Sequence, residues 1–131
     1  TRPGAATAMQ LSQELPDYTY ALRGADGASA RVNERVIARS LIVAPEALIE
    51  DWPVTSAAML EPAHWQPVLE LNPELVLLGT GDRQVFPPAA ALAACLGRGI
   101  GVEVMSNDAA ARTYAVLAGE GRRVAVALIL G

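Results

Sequence analysis

The chain has 131 residues, of which 52% are apolar and 18% charged, and it carries a formal charge of −4. That length fits one domain with a real core, and the composition excludes an intrinsically disordered chain. Every one of the ten basic residues is arginine, which excludes Schiff-base chemistry, pyridoxal phosphate enzymes and the Walker-type phosphate loop, because each uses a lysine ammonium group.

Thr1 to Gln10 is small and polar. It reads as a flexible tail without the charged start and apolar stretch of a signal peptide, leaving residues 11–131 as a single α/β domain. Tyr18 to Arg23 predicts a strand with two tyrosines on one face. Gly24-Ala25-Asp26-Gly27 predicts a turn, and Ser29 to Val32 an antiparallel return. Asn33-Glu34-Arg35 is a polar break. Val36-Ile37 and Ser40 to Val43 predict one further strand, stopped before Pro45 because the residue preceding a proline is held extended. The front third is therefore expected to be an antiparallel meander. Glu46 to Pro53 fits either a short strand or a helical turn, and Pro53 bars regular continuation of both.

The pattern then becomes more regular. Glu61 to Leu71 predicts a helix, with Pro62 near its first position and Trp65, Val68 and Leu69 at helical spacing; Asn72-Pro73 ends it. Leu75 to Leu78 is a continuous apolar run, as in a strand covered on both faces. After the Gly79-Thr80-Gly81 loop, Pro87-Pro88 opens a helix to Leu96, with Gly97 as its closing residue. Val102 to Met105 is the next strand. Ser106 or Asn107 caps the following helix, which runs to about Ala118 and is ended by Gly119 to Gly121. Arg123 to Leu130 is the last strand. Strand, helix, strand, helix, strand with short connections implies right-handed crossovers and parallel pairing. The expected architecture is a three-layer α/β domain whose mixed central sheet has a parallel βαβαβ C-terminal half and an N-terminal antiparallel meander.

The longest basic run is Arg122-Arg123, too little for a nucleic-acid footprint or a polybasic membrane patch. Apolar stretches fall short of the roughly 18 residues that an integral membrane segment needs. A single Cys95 and a single His64 make neither an internal disulfide nor a thiolate–imidazole zinc site. No cofactor is expected, and a reducing, cytoplasmic setting is the simplest one. Cys95 reads as a buried thiol, His64 as a surface or edge residue, and Trp52 and Trp65 as core anchors. Glu120, Arg122 and Arg123 read as a solvated charge cluster around a turn.

One candidate ligand site emerges. Gly79, Thr80 and Gly81 follow a buried strand, so their loop either lets backbone approach an anion or simply makes a tight exit with glycine dihedrals. A dinucleotide fingerprint would need a glycine where Gln84 stands. If the strands ending at Leu78 and Met105 are neighbours, Thr80, Ser106 and Asn107 converge at the carboxyl edge of the sheet, where ligands favour crevices and helix N-termini favour anions. Plain helix capping explains Ser106 and Asn107 equally. Arg112 stands four residues after Asp108. It suits an ordinary helix ion pair or a guanidinium aimed at a carboxylate or phosphate. No side chains form a recognisable triad, and no catalytic residue is assigned.

A set of blocks carries a family resemblance. Leu77-Leu78-Gly79-Thr80-Gly81 is followed by Gly99-Ile100-Gly101-Val102-Glu103-Val104-Met105. Ala109-Ala110-Ala111-Arg112-Thr113-Tyr114 comes next, then the run from Leu117 to Leu128, with Asp51-Trp52 upstream. In this order they resemble the small family of unknown function that includes mitochondrial complex I (NADH:ubiquinone oxidoreductase) assembly factor 3 and uncharacterised prokaryotic proteins. Asn107 stands where that family often has Thr, and Ala115 where it often has Asn. The resemblance implies a compact α/β fold with a mixed sheet and an assembly or protein-binding role, with no known enzyme activity. The leading expectation is thus a non-catalytic protein-interaction or assembly factor with an unidentified protein partner. The alternative is a small-ligand or anion-binding domain using the strand-end crevice. An exposed edge of the meander would also permit a homo-oligomer.

Overall fold

The computed structural model describes residues 18–131; the tail expected over residues 1–10 lies outside the described residues. Strands β1 (Leu22–Ala25), β2 (Ala30–Val32) and β3 (Arg35–Ile37) form a small antiparallel sheet. The first strand starts later than expected, because the N–H groups of Thr19 and Tyr20 both donate to the Pro45 carbonyl instead of a ladder. It also runs on through Gly24 and Ala25. The turn therefore falls at Asp26 to Ser29, where the Asp26 carboxylate accepts from the N–H groups of Ala28 (2.8 Å) and Ser29 (2.9 Å). This is the short polar side chain mimicking a backbone turn.

The single strand expected across Val36 to Val43 is two strands in two sheets. Ser40 makes the break. Its side chain is buried, donates to the Val54 carbonyl and accepts from the N–H of Leu130, so the chain leaves the small sheet and enters the central one. There β4 (Leu41–Ala44) pairs antiparallel with β5 (Ala47–Ile49), which makes a strand of the ambiguous segment after Pro45.

The central sheet is completed by β6 (Leu75–Gly79), β7 (Gly101–Met105) and β8 (Val124–Leu128), in the order β5-β4-β8-β6-β7. β4 is antiparallel to β8, whereas β6 is parallel to both β8 and β7. This is the mixed sheet with a parallel C-terminal half. Alternation sends its side chains into two cores. Val126 and Leu128 of β8 and Leu77 of β6 pack with Tyr114, Ala110 and Ala111 of helix α3 (Asn107–Gly119) and with the small sheet. Ala125, Ala127, Val76 and Leu78 pack the other way, against Trp52, Trp65, Val68 and Cys95. Each fully buried large aliphatic side chain contributes about 1.5–3 kcal/mol, so β6 and β8 anchor both layers.

The second layer is built from short helices. A 3₁₀ turn at Pro62–Trp65 runs into α1 (Gln66–Leu71), and another at Ala89–Leu92 runs into α2 (Ala93–Leu96). After α2 the left-handed residue is Gly99 (φ 75°) rather than the expected Gly97 (φ −66°). The rings of Trp52 and Trp65 pack at 5.6 Å with a 45° tilt, and their indole N–H groups donate to the carbonyls of His64 and Ala91. Both are core anchors, as expected.

Candidate functional site

The strands β6, β8 and β7 all end on one side of the central sheet, and the start of α3 closes over them. Gly79 is required there by close approach. A Cβ at this position would lie 2.3 Å from Asn107 Oδ1 and 2.6 Å from Leu128 Cδ2. Gly81 turns the chain with φ 106°, a conformation that glycine reaches without steric cost. Between them, the Thr80 N–H donates to the Met105 carbonyl, and the Thr80 hydroxyl donates to the Arg83 carbonyl and accepts from the Val85 N–H.

Asn107 is fully buried. Its Oδ1 accepts from the Gly81 N–H at 3.1 Å, and its Nδ2 donates to the carbonyls of Asp26 (2.8 Å) and Ile129 (3.0 Å). Its own N–H donates to the Gly81 carbonyl at 2.8 Å. One side chain therefore binds together the β6 exit, the turn of the small sheet, the end of β8 and the first turn of α3. Ser106 takes the capping role, its Oγ accepting from the Ala109 N–H. Arg112 is elsewhere. It pairs with Asp108 at 3.0 Å with side chains 72% and 68% exposed. Of the residues singled out in sequence, Gly79, Thr80, Gly81 and Asn107 meet, Ser106 flanks them, and Arg112 faces solvent.

Beside this knot lies a cavity of about 360 Å³, lined by Thr80, Gly81, Asp82 and Val85 on one side and by Thr55 and Ser56 on the other. Its chemistry differs from an anion cradle. The N–H groups of Thr80 and Gly81 already have internal acceptors, and the Asp82 carboxylate is on the wall, accepting from the Gly27 N–H. Val85 on its wall is 45% exposed, Phe86, the next residue in the chain, is 70% exposed, and Met59 in the adjoining hollow is 40% exposed. Sequence reading missed this apolar pair. The available signal was Val85-Phe86, two large apolar residues in an otherwise polar loop directly before Pro87-Pro88.

The single thiol and the single imidazole sit in different surroundings. Cys95 is fully buried, and burial pushes its thiol up to about 11, so little thiolate forms at neutral pH. His64 Nδ1 accepts from the Glu61 N–H at 2.9 Å, closing a cap on the 3₁₀ turn. Among the described residues no group of three or more His, Cys, Asp or Glu is placed to hold a metal ion, and no helix is long and apolar enough to cross a membrane.

Comparison with known proteins agrees with this fold. A family described as "Protein of unknown function (DUF498/DUF598)" matches residues 22–129. The solution structure of the Xanthomonas campestris protein XCC1710 is similar at 62% identity, with a TM-score of 0.79 over 94% of this chain and 93% of that one. A Bordetella pertussis protein described as a Mth938-like domain is similar at 30% identity, with a TM-score of 0.77 over 92% of each chain. A Francisella tularensis protein named "13 kDa major membrane protein" is 34% identical over 70 residues, 53% of this chain and 57% of that protein.

Proposed function

The chain belongs to this family of unknown function, and from that premise we propose that it is a non-catalytic protein-interaction or assembly domain. The observation that carries the reading is the exposed apolar pair Val85 and Phe86, Val85 lining the hollow and Phe86, its neighbour in the chain, 70% exposed. Large apolar side chains at a polar-edged hollow mark contact surfaces. Asp82 and Glu61 line the same two hollows, so the fitting partner is a protein presenting an apolar anchor beside a basic residue. The reading places the encounter in the cytoplasm. Fractionation of the host checks this, and recovery in salt-washed membranes overturns it. The partner test is affinity purification of wild type beside Phe86→Asp. One protein retained by wild type and lost from the variant is the expected result. Identical recovery by both baits would sink the proposal.

A second reading takes the cavity beside Thr80 and Gly81 as a small-ligand site, which its place at the carboxyl ends of parallel strands favours. With the loop N–H groups engaged and Asp82 on the wall, a neutral ligand carrying hydroxyl or amide donors fits better than an anion. Its test is a nuclear magnetic resonance titration against a panel of neutral polyols and amides. Saturable shifts at Thr80 and Gly81 support it, and a panel without such shifts removes it.

A further inference from the structure

The opposite end of the central sheet holds a second cavity, of about 410 Å³, which lies within the usual range for small-ligand sites. Ala44, Ala47, Leu71, Ala118 and Val124 give it apolar walls. Three charged residues, Glu46, Arg122 and Arg123, also line it. Two of them are committed. The Glu46 carboxylate accepts from the Thr19 hydroxyl, and Arg122 is paired with Glu74 at 3.1 Å. Arg123 has no ion pair among the described residues. Its Nε donates to the Asn72 carbonyl at 3.4 Å, and from beyond ion-pair distance its charge helps to hold the Glu74 carboxyl below the usual range; among the described residues both terminal nitrogens of the guanidinium remain for a planar acceptor.

We propose that this cavity binds a small amphipathic monocarboxylic acid, with its carboxylate on the Arg123 fork and its apolar body against Ala44, Ala47 and Leu71. A guanidinium presents parallel N–H groups that match a carboxylate in a bidentate pair. The apolar walls reward a hydrocarbon tail and penalise a second charge, and Glu46 opposes a dianion by like-charge repulsion. The site is separate from the Val85–Phe86 pair, so the two proposals stand or fall independently.

The experiment is a titration of the ¹⁵N-labelled full chain with octanoate, octanamide and the dicarboxylate suberate. Octanoate is expected to give saturable shifts at Ala44, Ala47 and Val124 at millimolar concentration or below. Octanamide and suberate are expected to bind at least tenfold more weakly. Arg123→Gln weakens octanoate at least tenfold while its spectrum stays dispersed, and Arg98→Gln, an exposed arginine after α2, leaves the affinity unchanged. No saturable shift with octanoate, equal binding of octanamide, or an Arg123→Gln variant that binds octanoate as wild type does would each overturn the assignment.

Discussion

At the carboxyl ends of the parallel strands, Asn107 directs its whole amide to the protein's own backbone, at Gly81, Asp26 and Ile129. At the amino ends, Arg123 lines an apolar cavity with no ion pair among the described residues. The first arrangement holds elements together; the second leaves a guanidinium whose charge is engaged only at a distance, by Glu74. A strand-end crevice is an inviting position for a ligand, but position alone does not make a site. What matters is which polar groups remain after the backbone has been satisfied. Here the carboxyl end offers mainly the exposed Val85 and Phe86, and the amino end offers a guanidinium.

The largest test of that contrast is Asn107→Ala. It removes the acceptor for the Gly81 N–H and the donor for two carbonyls in a fully buried setting. Each buried group left unsatisfied costs about 1–3 kcal/mol, so a loss of about 3 kcal/mol or more is expected from urea unfolding. Arg123→Gln, exposed and outside any ion pair among the described residues, is expected to stay within about 0.5 kcal/mol of wild type. Equal unfolding midpoints for Asn107→Ala and wild type would erase the difference between the two ends.

An intermediate effect comes from alkaline pH. The Tyr114 side chain is fully buried between α3 and the chain ahead of β1, and its hydroxyl donates to the Tyr20 carbonyl at 2.8 Å. Burial raises its pKa above the usual phenol value, with smaller contributions from Tyr18 and Glu46. The folded chain thus keeps this proton at a pH where the unfolded chain, with an ordinary phenol near ~10, releases it. Stability from this group is constant below that value and falls as pH rises through it. Cys95 acts in the same direction, its thiol held up to about 11 by burial. Melting temperature is expected to drop steadily above about pH 9–10. Tyr114→Phe should flatten that drop while costing about 1 kcal/mol at neutral pH through the lost hydrogen bond. Since Tyr18 packs edge-on against Tyr114 at 6.2 Å and lines the Arg123 cavity, a flat melting temperature from pH 8 to 11 would mean that this wall is not held by the buried phenol.

The legible parts of the sequence were those whose partners lie nearby in the chain or repeat with a simple period. The continuous apolar runs of β6 and β8 belong to strands covered on both faces. Pro62 and the spacing of Trp65 and Val68 announce the helix that carries them. Ser40 broke a predicted strand because a buried serine bonded to Val54 and Leu130 looks, locally, like any strand residue. Asn107 was legible as a helix start and illegible as a knot. Two of its partners, Asp26 and Ile129, lie 81 and 22 residues away, and no local pattern encodes them. Arg123 read as part of a solvated turn because its neighbours Glu120 and Arg122 are charged. Only the fold brings Leu71 and the Ala44–Ala47 hairpin to it.

The smallest expected effect belongs to Arg112. Its guanidinium meets Asp108 one helical turn earlier, and both side chains are about two thirds exposed or more. Such i,i+4 pairs contribute about 0.2–0.5 kcal/mol and are screened by salt. Arg112→Ala also introduces the best helix former, which offsets part of even that. Urea unfolding at low salt is therefore expected to show a change below about 0.5 kcal/mol that shrinks further in 1 M sodium chloride. A double-mutant cycle with Asp108→Ala isolates the pair. A loss above about 1 kcal/mol that persists in high salt would mean that Arg112 has an interaction stronger than its pairing with Asp108. The carboxyl end would then hold a committed cation of its own, and the contrast with the Arg123 end would rest on Asn107 alone.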